Sequence, residues 1–273
     1  MYKKKSTLGI LLVLVGSLLC GCGTQTTRTA EEKQKSDLPV VVVGCDNYSP
    51  FSYADVDGDM TGIDVELAKE ACRRMGYEAV FEYINWEDKK TLVDSGEIDC
   101  IWGSFSITGR EDTYNWTDPY MVSRQVVAVN ADSDIYTFAD LDGKKVAVQS
   151  TTKPEELFES REDPRIPELG DLYALQDREL LYPILEKGYV DAIAAHETAI
   201  TQSMKDYGLE YRLLDEPLLT VGLGVAFSKQ DDREIEQKLS NVFAGMREDG
   251  TLEKIIGRHL EHPETYLWYG TYD

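Results

Sequence analysis

The chain has 273 residues, 42% of them hydrophobic and 29% charged, which is enough apolar content to bury a core and excludes a disordered chain. Asp and Glu outnumber Lys and Arg by 50 to 28, and a net charge of −22 would repel phosphate backbones, which excludes nucleic-acid binding. Only three histidines occur, with no Cys-x-x-Cys pair and no His-Glu-x-x-His run, which argues against a metalloenzyme and gives no reason to expect a cofactor.

Lys3, Lys4 and Lys5 precede an apolar run over residues 8–19 that gives way at once to polar sequence, the pattern of a secretory signal. The run is shorter than the roughly 18 to 20 residues that a membrane-crossing helix needs, which favours a cleaved leader. Its end, Leu19-Cys20-Gly21-Cys22, resembles the lipobox of bacterial lipoproteins, with a leucine three before the cleavage point, a small residue next to it and a cysteine to receive the lipid. That resemblance implies a signal peptide over residues 1–21 and lipidation of Cys22; the plainer alternative is an ordinary signal peptide with two incidental cysteines. Residues 22–37 are small and polar without apolar periodicity and read as a flexible tether.

A β-branched run over residues 39–44 predicts a strand, followed by the loop Cys45-Asp46-Asn47-Tyr48-Ser49-Pro50 and a hairpin turning at Asp57-Gly58-Asp59. From residue 64 to 75 the apolar positions Val65, Ala68, Ala71, Cys72 and Met75 fall at helical spacing, with Gly76 placed to end the helix. A strand at 78–84, a helix at 87–95 stopped by Gly96, and a strand at 98–102 complete an α/β unit. The rhythm returns with extended sequence at 125–130, a strand at 145–149, helices at 153–160 and 177–187, a strand at 189–194 and a helix at 197–207. Extended sequence at 220–228 leads to helices at 231–248 and 252–260. Cys45, Cys72 and Cys100 read as small buried hydrophobes, with one disulfide among them left open.

No Gly-x-Ser-x-Gly elbow, phosphate-binding glycine loop or nucleophile with a base beside it is present. What stands out is Gly103-Ser104-Phe105-Ser106-Ile107-Thr108-Gly109-Arg110, where a strand end carries hydroxyls and backbone groups up to an arginine, a corner suited to a carboxylate.

Around that corner the chain resembles the extracellular solute-binding proteins, family 3, which deliver amino acids to ABC transporters. The resemblance runs from about Val40 to Gly257. It rests on Ser49-Pro50-Phe51-Ser52-Tyr53, Thr61-Gly62-Ile63-Asp64-Val65-Glu66-Leu67-Ala68, Ser95-Gly96-Glu97-Ile98-Asp99, Ser106-Ile107-Thr108-Gly109-Arg110, Trp116-Thr117-Asp118-Pro119-Tyr120, Leu141-Asp142-Gly143-Lys144-Lys145-Val146, Lys187-Gly188-Tyr189-Val190-Asp191-Ala192 and Asp249-Gly250-Thr251-Leu252, in family order.

The resemblance implies a two-lobed periplasmic-binding-protein fold of type II, lobe 1 built from residues 38–121 and 222–273 and lobe 2 from 122–221. The lobes would be joined by two crossing strands near 121–125 and 217–222. The ligand would sit between them and favour closure. Arg110 matches the arginine that holds the ligand's α-carboxylate, although Gly109 alone separates it from Thr108 where the family has two residues. Thr152 matches the threonine that closes on the same carboxylate. Ser104, through its carbonyl, and Ser106, through its hydroxyl, match the positions that receive the α-ammonium. Tyr48 and Trp86 match the aromatic pair that sandwiches the side chain, which suits a polar or cationic ligand. The acidic position three before the first aromatic is Cys45 here, with Asp46 one place later. Five residues beyond Asp191, where the family has an Asp for the ammonium, stand His196 and then Glu197.

The implied protein is a monomeric, lipid-anchored receptor on the extracytoplasmic face of the membrane, presenting an amino acid to ABC permease and ATPase subunits and making no covalent chemistry. The alternatives are a cyclohexadienyl dehydratase-like lyase using His196 and Glu197, or a sensor module on the same fold.

Overall fold

A computed structural model describes residues 37–268. The expected signal peptide, Cys22, all but the last residue of the expected tether, and residues 269–273 lie outside the described residues.

Strand β1 (Val40–Cys45) opens the fold; its valines are buried at alternate positions, Val41 and Val43, and Gly44 and Cys45 are buried at its end. A short hairpin of β2 (Tyr53–Ala54) and β3 (Met60–Thr61) leads into helix α1 (Ile63–Met75). Gly62 begins that helix at φ 114, where a Cβ would lie 2.3 Å from the carbonyl oxygen of Phe51, so only glycine fits. The chain continues through β4 (Glu78–Tyr83), α2 (Lys89–Ser95), β5 (Cys100–Ile101) and β6 (Asn115–Trp116) into the long β7 (Met121–Asn130).

Beyond it come β8 (Lys145–Gln149), α3 (Lys153–Ser160), β9 (Asp171–Leu175), α4 (Leu181–Glu186), β10 (Ala192–His196), α5 (Glu197–Tyr207) and β11 (Tyr211–Leu213). The chain returns through β12 (Leu219–Leu223) to β13 (Ala226–Phe227), α6 (Ile235–Glu248) and α7 (Thr251–Ile256).

Two sheets result. The first runs β4-β1-β5-β13-β6 and so takes strands from both ends of the chain; the second runs β11-β7-β10-β8-β9, with β12 on β7. β1 lies parallel to β4 and β5, and β8 parallel to β9 and β10, as βαβ connections require. Each sheet is covered on both faces. In the second, Val127, Val129, Val146 and Val148 face Phe138, Leu141 and Phe158, while Val126, Ala128, Ala147 and Ile193 face Leu181, Leu185 and Ile200. That period of two splits one run of apolar residues into two cores. In the first, α1, α6 and α7 pack on one face and Trp86, Val93, Phe105 and Tyr114 on the other.

The connections between the sheets run through β7 and β12, antiparallel from Met121 opposite Leu223 to Gln125 opposite Leu219. β7 then continues into the second sheet to pair with β10 and β11, so one unbroken strand leads out of the first lobe and into the second.

Several elements differ from expectation. The helix expected over 177–187 is a 3-10 turn at Arg178–Leu180 followed by the shorter α4. β9 and β11 were not anticipated; β9 is mostly exposed and alternates only partly, so it carries little strand pattern. The three described cysteines are buried free thiols, the first of the two readings. No helix among the described residues is long and apolar enough to cross a membrane.

Candidate functional site

The loops following β1, β5, β8, β9 and β10 open at the same ends of their strands, where ligands bind in open α/β sheets. Between the lobes they enclose a narrow cleft, about 410 Å³ when its open mouth is counted. Tyr48, Trp86, Ser104, Ser106, Arg110, Thr152 and His196 all line it.

Tyr48 hangs from a tight loop whose backbone closes between Tyr48 and Ser52, and its ring packs on Phe51. Its hydroxyl accepts the backbone N–H of His196 at 3.2 Å, which ties the first lobe to the second. Trp86 opens a 3-10 turn capped by Asn85, and its ring meets Phe105 edge-on at 5.3 Å. Behind it Lys89 is 5% exposed and donates to the Trp86 carbonyl at 2.9 Å and to Thr151 Oγ1 at 2.6 Å, again across the lobes. Burial, with Arg110 nearby, pushes the Lys89 ammonium down to about 7.

Ser104 adopts φ 47, and its N–H donates to Asp64 at 2.6 Å. Asp64 also accepts the Tyr120 hydroxyl at 2.8 Å, and burial raises its carboxyl to about 6 despite both bonds. A buried carboxyl at the start of α1 thus fixes the backbone of the carboxylate corner. The next residues bridge to β12, with Ile107 N–H on the Gly222 carbonyl at 3.1 Å. Arg110 follows, its guanidinium over Phe105 at 5.4 Å and 3.4 Å from the carbonyls of Ser106 and Thr151. Thr152 stands at the N-cap position of α3, but its hydroxyl donates to the Gln149 carbonyl at 2.5 Å and does not cap the helix.

His196 ends β10, buried, with Nδ1 2.8 Å from the Ser123 hydroxyl and Nε2 2.9 Å from the Gln125 side-chain nitrogen. Gln125 Oε1 has no partner, so turning that amide over lets His196 Nε2–H donate to it while Nδ1 accepts from Ser123. This is a neutral imidazole with both nitrogens satisfied. Burial and the Arg178 guanidinium push its pKa down to about 3, against the pull of the Ser104 carbonyl.

Two expected residues stand apart. Asp46 sits at the cleft edge, where it accepts from Gln149 Nε2 at 2.7 Å and lies 3.2 Å from Arg178 Nη2. Glu197 does not line the cleft; it begins α5 and pairs with Arg124 at 3.2 Å. Asp191 accepts the Lys145 N–H at 2.7 Å, a link between neighbouring strands.

Arg178 and Gln149 escaped the sequence reading. Arg178 is 6% exposed, lies 3.1 Å above the Tyr48 ring centroid and donates through Nε and Nη2 to Gln149 Oε1. Both lie at the ends of strands, Gln149 closing β8 and Arg178 just beyond β9, and that placement was the one available signal. Among the described residues no three His, Cys, Asp or Glu side chains come together as a metal site.

The family model for the bacterial extracellular solute-binding proteins, family 3, matches residues 40–262. The histidine-binding periplasmic protein of Salmonella typhimurium is 31% identical over 261 residues, covering 92% of this chain and 96% of that protein. Among solved structures, the substrate binding protein of an amino acid ABC transporter superposes with a TM-score of 0.73 at 25% identity, over 81% of this chain and 99% of that one. An ancestral amino acid-binding protein, a precursor of cyclohexadienyl dehydratase, superposes with a TM-score of 0.72 at 26% identity, over 81% of this chain and 96% of that one.

Proposed function

The chain belongs to the bacterial extracellular solute-binding proteins, family 3, and from that membership and the cleft between its lobes we propose that it captures an amino acid and presents it to an ABC importer. The observation that carries this reading is the convergence of Arg110, Ser104, Ser106 and Thr152 on one interlobe cleft. Arg110 holds the α-carboxylate in a charge-assisted pair, Thr152 closes on it from the second lobe, and the Ser104 carbonyl and Ser106 hydroxyl take the ammonium. Tyr48 and Trp86 flank the side chain, with Asp46 at the cleft edge held by Gln149 and Arg178. His196 stands where the family has an ammonium-binding carboxylate, and its two neutral nitrogens are engaged by Ser123 and Gln125.

Residues 38–121 with 222–273 act as one lobe and 122–221 as the other, hinged at the paired strands β7 and β12, and the permease and its ATPase read the closed state. A lipid on Cys22 keeps the monomeric receptor on the extracytoplasmic face of the membrane. The lyase alternative loses its acid-base pair, because Glu197 is engaged by Arg124 rather than turned towards the cleft.

Replacing Arg110 tests the reading. Arg110→Ala should weaken amino-acid binding by at least about thirtyfold, from the roughly 2 to 5 kcal/mol that a lost buried charge pair costs, with circular dichroism unchanged. Equal affinity in that variant would overturn the carboxylate assignment.

A further inference from the structure

Arg178 places a second guanidinium in the cleft that holds Arg110. It is 6% exposed, with Nε and Nη2 both spent on Gln149 Oε1 and Nη2 also 3.2 Å from Asp46. Its Nη1 has no hydrogen-bond partner. A buried, charged N–H left unpaired is costly enough that it marks a place where an acceptor belongs.

The charges around it point the same way. The guanidinium covers the Tyr48 ring at 3.1 Å, so a cationic ligand side chain stacking there would be set against a protein cation. Asp46, the carboxylate that could have welcomed such a side chain, is already engaged by Arg178 and by Gln149 at 2.7 Å. Lys153 lies 2.5 Å from Glu156, which is half exposed and 3.6 Å from Arg110. Buried Arg178, partly buried Arg110 and, behind Trp86, buried Lys89 therefore stand around the cleft against Asp46 at its edge and the half-exposed Glu156. A zwitterion with an uncharged side chain leaves that positive excess in place and a cationic amino acid enlarges it, whereas a second carboxylate on the ligand reduces it.

We propose that the ligand is an acidic amino acid, its α-carboxylate held by Arg110 and its side-chain carboxylate by Arg178 through Nη1. This rests on the amino-acid receptor reading and names the substrate class within it. Gln149 acts as the positioning residue, holding Arg178 flat on Tyr48 while passing a hydrogen bond to Asp46.

The test is calorimetric titration of the purified full chain with L-glutamate, L-aspartate, L-glutamine, L-asparagine and L-arginine. One of the two acids should bind at least a hundredfold tighter than its own amide. In Arg178→Gln that ratio should fall below tenfold, through loss of affinity for the acid alone, and Arg178→Lys should restore part of it. If the variants do not fold, the ratio measured on the unmodified chain decides by itself. An amide or arginine binding as tightly as the acids would overturn the assignment and leave the receptor reading standing. Absence of binding by every amino acid, those five and the remainder of the twenty, would overturn the receptor reading and this inference with it.

Discussion

His196 shows how a histidine, where the family resemblance places a carboxylate, is absorbed by its surroundings. Where a carboxylate was expected, an imidazole sits against Ser123 and Gln125, buried and beside Arg178, and its pKa falls to about 3. Between the ordinary value near 6.5 and about 3, the unfolded chain takes up a proton that the folded protein refuses, so stability must drop as pH falls through that window. The loss is on the order of 5 kcal/mol when complete. Urea unfolding from pH 7 to pH 4 should therefore give a shallower acid limb in His196→Gln than in the parent chain; parallel limbs would mean that the imidazole titrates freely. His196 and Arg110 were legible in the sequence because a motif fixes their distance from a strand end. Arg178 and Gln149 were not, because their partner Asp46 lies more than a hundred residues from both and the contact exists only once the lobes meet.

At the scale of elements, legibility followed pattern. α1 was readable from its apolar spacing and its closing glycine, and β8 and β10 from their apolar runs. β9 has no buried residue and β11 only one, so an edge position left no period to read. The entry to α1 rests on Gly62, whose φ of 114 and 2.3 Å approach to the Phe51 carbonyl admit no side chain. The same turn sets Asp64, the carboxyl that anchors Ser104. Gly62→Ala should thus destabilise the protein by about 2 kcal/mol or more, read by chemical denaturation. It should weaken ligand binding as well, since the corner moves with Asp64. A neutral effect on stability would show that the turn can relax.

Across the whole molecule, the lobes are drawn together by contacts that converge on the cleft. The Tyr48 hydroxyl accepts from the backbone of His196, Asp46 binds Gln149 and Arg178, Lys89 donates to Thr151, and Arg110 reaches the Thr151 carbonyl. On the proposed reading, a ligand that pairs with Arg110 and closes on Thr152 would add to that set, and its binding energy would shift the lobes towards closure. The chain order of the strands made the two-sheet division readable, but which side chains bridge the sheets depended on loop conformations such as the positive φ of Ser104 and Thr151. The most direct measurement is a thermal-shift screen of the full chain against the twenty amino acids, run beside Arg110→Ala. A micromolar ligand at 1 mM stabilises by about 4 kcal/mol, which in a protein of this size raises Tm by about 8 to 16 °C. The expected result is such a shift with one amino acid or a small chemical group of them, absent in Arg110→Ala. The same shift in both proteins, or none with any amino acid, would contradict a receptor that holds its ligand by the carboxylate.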